Sequence, residues 1–210
     1  MVTPYIPRRD RLRNDRPPTW DVTVRPSNPG LATFTDSLRR NRGQIVAHWS
    51  EWVGHRMAQA PHIHRPTVER HLALMVDVIV ELSGPLRRHA TELWFSVCEA
   101  YGQVAAARGL AAGEVVEELQ QLRELLIHEL SETVAVLTPR QAMAAVLRLS
   151  RTMDRGLAHA VVGYTDALVE TLLNRSGVPI VASQPEEDEV LQRLEHLEDE
   201  LTQLRGKSQS

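Results

Sequence analysis

The chain has one cysteine, one lysine, few aromatic residues and no long apolar run, and each shortage excludes something. A single cysteine, Cys98, rules out an intramolecular disulfide and any all-cysteine metal site, and fits a reducing compartment. Its neighbours Leu93, Trp94, Phe95 and Val97 mark it as a small buried hydrophobe, not a reactive thiol. No run approaches the roughly 20 apolar residues of a membrane span. The start, Met1 to Pro7, lacks the apolar core of a signal peptide. A cytoplasmic protein with no membrane partner is expected. Aromatics are 4% of the 210 residues, enough for a core but thin for a large cofactor pocket. Lys207 is the one lysine among 24 basic residues, which reads as coding bias toward arginine before any phosphate chemistry. Glycine-rich phosphate loops, nucleophile elbows and paired catalytic carboxylates are absent, so no catalytic residue is assigned and no enzyme is expected.

A formal net charge of -3 and a pI near 6.3 give no whole-chain field toward nucleic acid, and no nucleic-acid partner is expected. The ends are nevertheless opposite in sign. Residues 8 to 25 hold six arginines against three aspartates, and residues 186 to 200 hold eight acids against Arg193. Six of the twelve prolines fall within residues 1–30, a segment unable to bury enough surface to offset its ordering entropy, so a disordered, solvated arm is expected there.

From Leu31 onward the apolar residues recur in steps of three and four, the spacing of amphipathic helices. The spacing predicts helices over about 31–57, 66–82, 86–108, 112–137 and 139–174, with Ala60-Pro61, Ser83-Gly84-Pro85, Gly109 and Thr138-Pro139 as breaks. The fourth is the clearest: Val115, Leu119, Leu122, Leu126, Leu130, Val134 and Leu137 make one stripe, and Glu114, Glu117 and Glu118 crowd its first turn, where the helix dipole favours carboxylates. Thr138-Pro139 with Gln141 resembles a capping box at the start of the fifth, and the short connection predicts an antiparallel pair with the fourth. A bend is expected near Gly156 or Gly163. The expected organisation is an arm over 1–30, a helical domain over 31–177, a linker over 178–184, a last helix over 185–206 and a disordered 207–210. In the last helix Val190, Leu194, Leu197, Leu201 and Leu204 alternate four and three apart, a heptad seam that predicts a homodimer through a coiled coil. Arg193 would then face Glu198, and Glu200 would face Arg205, across a parallel pair.

Nine histidines invite a metal or haem reading. His48, His55 and His62 are seven apart, as are His64 and His71, whereas one ion needs ligands three or four apart on a helix. His62 and His64 form the one close pair. His128 and His159 stand mid-helix, where a globin-type protein could place a haem ligand, although a lone histidine in a bundle is more often a hydrogen-bonded core residue. No cofactor is expected.

Trp49, the Tyr101-Gly102 and Arg108-Gly109-Leu110 segment, Glu114 through Leu119, and Leu122-Arg123-Glu124 together resemble a family. It is the non-haem, globin-like sensor domain at the N-terminus of RsbR-type stressosome proteins and of many bacterial sensor histidine kinases, and the likeness covers about residues 32–176. The resemblance implies a globin-like helical bundle, dimeric and without enzymatic activity, that passes a signal to an output domain or protein partner. The RsbR-type STAS domain and the kinase domains have no counterpart after residue 177, where about two heptads follow. His196, at an outward position of that repeat, is therefore not read as a phosphoacceptor. A sensor or adaptor acting through a partner is expected; a haem-binding sensor using His128 or His159, and a structural subunit of a larger assembly, are the alternatives.

Overall fold

The computed structural model describes residues 29–56, 63–175 and 187–207. The proline-rich arm before Pro29, the Ala60-Pro61 break, His62 and the 178–184 linker lie outside the described residues. Within them the chain is all α-helical: α1 (Pro29–Arg56), α2 (Arg65–Ser83), α3 (Arg87–Ala107), α4 (Ala112–Glu129), α5 (Ser131–Ala135), α6 (Pro139–Arg175) and α7 (Glu187–Lys207). No described helix is long and apolar enough to cross a membrane. The stripes read from the sequence meet in one core, with Leu38, Ile45 and Trp49 of α1, Leu72, Met75 and Ile79 of α2, Trp94 and Tyr101 of α3, and Leu122 and Leu126 of α4 almost fully buried.

Side-chain partners fix the directions. Thr35 donates to the Ser83 carbonyl at 2.8 Å while Arg42 holds Asp77, so α1 and α2 are antiparallel. Trp49 with Glu118 and Asn41 with Glu129 set α1 antiparallel to α4. Arg123 with Asp154, and Tyr164 with the Leu110 carbonyl, set α4 antiparallel to α6, as the short connection predicts. By contrast α3 and α6 run parallel, since Trp94 meets Thr152 and Glu99 meets His159.

The glycines of α6 do not interrupt the helix, which runs from Pro139 to Arg175, and they serve a close contact. A methyl group on Gly163 would lie 2.1 Å from the Glu99 carbonyl oxygen of α3, and one on Gly156 would lie 2.5 Å from the Trp94 ring and 2.8 Å from the sulfur of Cys98. Bare backbone lets the two helices approach closely. Cys98 is fully buried in this contact, and burial pushes its thiol well above the ordinary value, as expected of a structural cysteine.

The fourth predicted helix is shorter than its stripe. α4 stops at Glu129 and the chain resumes in the one-and-a-half turns of α5. Asn41 of α1 donates to the Glu129 carbonyl at 3.2 Å, Thr133 donates to Ser37 at 2.7 Å, and Leu130 between them is buried. Partners on α1 thus take over groups that a continuous helix would leave on its outer side. At the start of α6, Gln141 accepts from the Thr138 backbone N–H at 3.1 Å, one arm of the expected capping box, while the Thr138 hydroxyl turns to the same amide oxygen at 2.8 Å.

Candidate functional site

The site is built from the turn that ends α3. Gly109 has φ 77°, its N–H reaches the Ala106 carbonyl and the Leu110 N–H reaches that of Ala105. This pair of bonds is the left-handed glycine termination of a helix, where a side chain would strain the backbone. It sends α4 back beside α3, and two turns into α4 Glu118 arrives opposite Arg108. Arg108 Nη1 and Nη2 donate to the two carboxylate oxygens of Glu118 at 2.9 and 2.7 Å. The Tyr101 hydroxyl donates to Glu118 Oε2 at 2.5 Å, and Trp49 Nε1 donates to the Glu118 backbone carbonyl at 3.2 Å.

All of this is dry: Glu118 and Tyr101 are 0% exposed and Arg108 is 5% exposed. Burial, the largest influence on Arg108, works against its charge, yet hydrogen bonding to Glu118 and the fields of Tyr101 and Glu118 outweigh it and its pKa is raised. Burial also pushes the Tyr101 phenol well above its ordinary value, with the Glu118 carboxylate adding to the effect. A planar guanidinium meeting a carboxylate through two parallel bonds fixes both groups in orientation. Arg108 Nε has no partner among the described residues.

His71 of α2 completes the cluster. Its ring meets Tyr101 edge to face, with centroids 5.4 Å apart at 89°, and Trp49 lies 5.9 Å from Tyr101 on another side. His71 Nε2 is 3.0 Å from the Val97 carbonyl, which can only accept, so Nε2 carries the proton and Nδ1 is left buried without a partner among the described residues. Burial, aided by the positive charges of Arg193 and Arg108 and opposed by the Val97 bond, lowers its pKa to about 4, so the ring is neutral near pH 7.

α7 lies directly over α2 and α3. Val190, Leu194, Leu197 and Leu201 are 6% exposed or less, and Leu204 packs against the same core. The predicted seam is therefore filled inside one chain: α2 and α3 supply the apolar cover that a second protomer was expected to give. The charges expected to pair between protomers follow suit. Glu198 takes Arg70 of α2 through two bonds of 2.8 and 2.6 Å, Arg205 reaches Glu81 at 2.9 Å, and Arg193 bonds Gln103 of α3. At the start of α7, Glu187 accepts from the His64 backbone N–H at 3.1 Å and from the Thr67 hydroxyl at 2.5 Å, and contacts the His64 ring. It thus caps α2, whose own N-cap residue, His64, makes no side-chain bond to the helix backbone, and the Thr67 and His64 bonds draw the Glu187 pKa down.

Of the residues carrying the family resemblance, Trp49, Tyr101, Arg108 and Glu118 converge in the network. Gly109 and Leu110 form its turn, and Leu122 is buried beneath it. Glu114 accepts from the Ala111 N–H at 2.7 Å and caps α4, as its first-turn position suggested. Arg123 is drawn to Asp154 at 2.9 Å, and Glu124 is exposed. Glu118 has a role beyond the first-turn acids that the helix dipole favours: it is the centre of the core network. His71, weighed in the sequence only for its spacing from His64, stands three after Val68 and four before Met75, on the apolar stripe itself.

The haem candidates diverge. His128 faces solvent, while His159 stacks on Phe95 with centroids 4.1 Å apart and meets Glu99 at 2.7 Å, half-buried on the outside of the α3–α6 contact. His64 is an exposed cap partner, and among the described residues no cluster of three or more histidine, cysteine or acidic side chains could hold a metal ion. An open groove of about 740 Å³ beside α1 and α2 contains Arg39, Arg42 and Arg205, but Asp36, Asp77 and Glu81 already match them.

No family model, curated protein or solved structure matches this chain.

Proposed function

We infer that the chain is a non-enzymatic signal-input or adaptor domain of the RsbR N-terminal, globin-like type, and that α7 is the element through which it passes a signal to a protein partner. The observation that carries this reading is the way α2 and α3 serve two structures at once. His71 points into the buried network while its neighbour Arg70 holds Glu198 of α7; Tyr101 lies in the network while Gln103, two residues on, holds Arg193. A shift of either helix that loosens the network therefore acts on the docking of α7 as well, giving a two-state element that a signal can bias. The closed network supports a non-catalytic reading, because Arg108 and Glu118 neutralise each other where no substrate can reach them.

Hydrogen exchange tests the coupling. Tyr101→Phe removes one bond of the network without changing its shape. Under the proposal α7 amides lose protection along with those of α3 and α4, whereas exchange confined to α3 and α4 rejects α7 as the output. A Soret band in the absorption spectrum of the purified chain would instead favour the haem alternative.

A further inference from the structure

α6 is apolar on its inner side and carries two apolar patches on its outer side, one toward each end, with the exposed Arg151 and Asp154 between them. Met153, Ala160 and Ala167 face inward and are buried, while on the other side Met143, Leu147, Val162, Leu168, Val169 and Leu172 stand 44% to 60% exposed. Six large apolar side chains left in water on one side of a single helix mark a face that lacks its cover.

The charges beside the exposed stripe say what fits it. Arg148 and Asp166 are eighteen residues apart, five turns of a helix, and Arg155 precedes Asp166 by eleven, three turns, so all three follow one flank, continued by Glu170. None of these four is hydrogen-bonded or ion-paired to a described residue, in contrast to the matched charges of α7. Burial and the nearby Arg87 hold the Arg148 guanidinium below its ordinary pKa, the condition of a cation without a counter-charge. The flank is basic toward the N-terminus and acidic toward the C-terminus, a pattern complementary to its own reverse.

We propose that the exposed face of α6 is the docking surface for a second copy of this chain, with the two α6 helices antiparallel about a two-fold axis beside Ala158, a small and exposed residue at the middle of the stripe. That axis sets Met143 opposite the mate's Leu172, Leu147 opposite its Leu168, and Arg148 opposite its Asp166, within reach of Glu170. In such a pair the same flank of each helix meets its counterpart, and every contact occurs twice. In a parallel pair this flank would meet the opposite flank of the mate, and Arg148 would lose Asp166 as its counterpart. From Met143 to Leu172 the stripe is roughly 44 Å long. At a width of about 10 Å it supplies about half of the ~800 Å² per partner of a standard interface. The charged flanks therefore belong inside the contact.

The full chain should sediment as a dimer, and Leu168→Asp should make it a folded monomer, since Leu168 lies outside the core. Arg148→Glu should weaken association roughly five- to thirty-fold, two exposed ion pairs being lost at once, and adding Asp166→Arg should restore it. On mild oxidation Ala158→Cys, beside the axis, should cross-link to its mate, whereas Met143→Cys, far from it, should not; Cys98 is fully buried and gives no background. The proposal is overturned by a wild-type monomer at every concentration, by a dimer indifferent to Leu168→Asp, or by Met143→Cys cross-linking as readily as Ala158→Cys. A monomer that dimerises only after residues 1–28 are removed would make the N-terminal segment the occupant and would also overturn it. The surface stands on α6 alone: a chain that dimerises here while α7 ignores Tyr101→Phe would lose the signalling reading and keep this one.

Discussion

Gly102 of α3 lies so close to Ala160 of α6 that a methyl group on it would sit 1.9 Å from the Ala160 carbonyl oxygen. The obstacle is backbone, which cannot rotate away, so Gly102→Ala must push two helices apart over their whole contact. A loss of about 3 kcal/mol or more is expected, at the upper end for overpacking. Gly43→Ala is the control, because nothing lies within 4 Å of the new methyl and the helix gains up to about 1 kcal/mol of propensity. Denaturant titration of the two variants should give changes of opposite sign; equal effects would mean that the α3–α6 contact is looser than described.

Arg108 and Glu118 should behave as a unit. Arg108→Met leaves a buried carboxylate unpaired and is expected to cost about 3–5 kcal/mol, as is typical when one partner of a buried pair is removed. Adding Glu118→Leu removes the stranded charge, and the double variant should recover much of that loss. A thermodynamic cycle from four denaturation curves reads the coupling; costs that simply add would show that the pair contributes no mutual stabilisation.

The neutral, buried His71 makes stability fall on the acid side. Its folded pKa of about 4 lies below the ordinary value, so its contribution is complete above about pH 6.5 and is lost as the pH falls toward 4, where the unfolded chain binds a proton that the folded chain refuses. The loss is on the order of 3 kcal/mol over that window. Measured against His71→Leu, which shares every carboxylate, the wild type should lose ground steadily between those two pH values. A difference between the two proteins that is independent of pH would show that His71 is not held neutral.

Leu197→Asp with Leu201→Asp places two carboxylates against α2 and α3, where both leucines are now buried. Such a change should release α7 and lower the stability of the bundle, because α7 covers the outer faces of its two neighbours. Hydrogen exchange should show α7 unprotected while the sedimentation mass stays that of the wild type. A fall in mass would return the seam to the dimer interface that the heptad pattern predicts. Glu187→Ala should cost roughly 1 kcal/mol through the lost cap on α2, read as a lower melting temperature.

Periodicity, breaks and caps are local properties, and these were legible along the chain. The ends of α2, α3 and α6, the left-handed Gly109 and the burial of Cys98 all follow from residues within a few positions of one another. The motif from Arg108 to Glu118 was visible too, but its chemistry was not, since a glutamate in the first two turns of a helix reads alike whether it is solvated or paired. Tertiary structure decided that Glu118 faces Arg108 and Tyr101, because the Gly109 turn folds α4 back on α3 at that spacing. It likewise decided the fate of the heptad in α7. An apolar stripe specifies only that it be covered, so Val190, Leu194, Leu197 and Leu201 fit a second protomer or the groove of α2 and α3 equally well on paper. Glu187, Glu198 and Arg205, meeting His64, Arg70 and Glu81 more than a hundred residues away, select the groove.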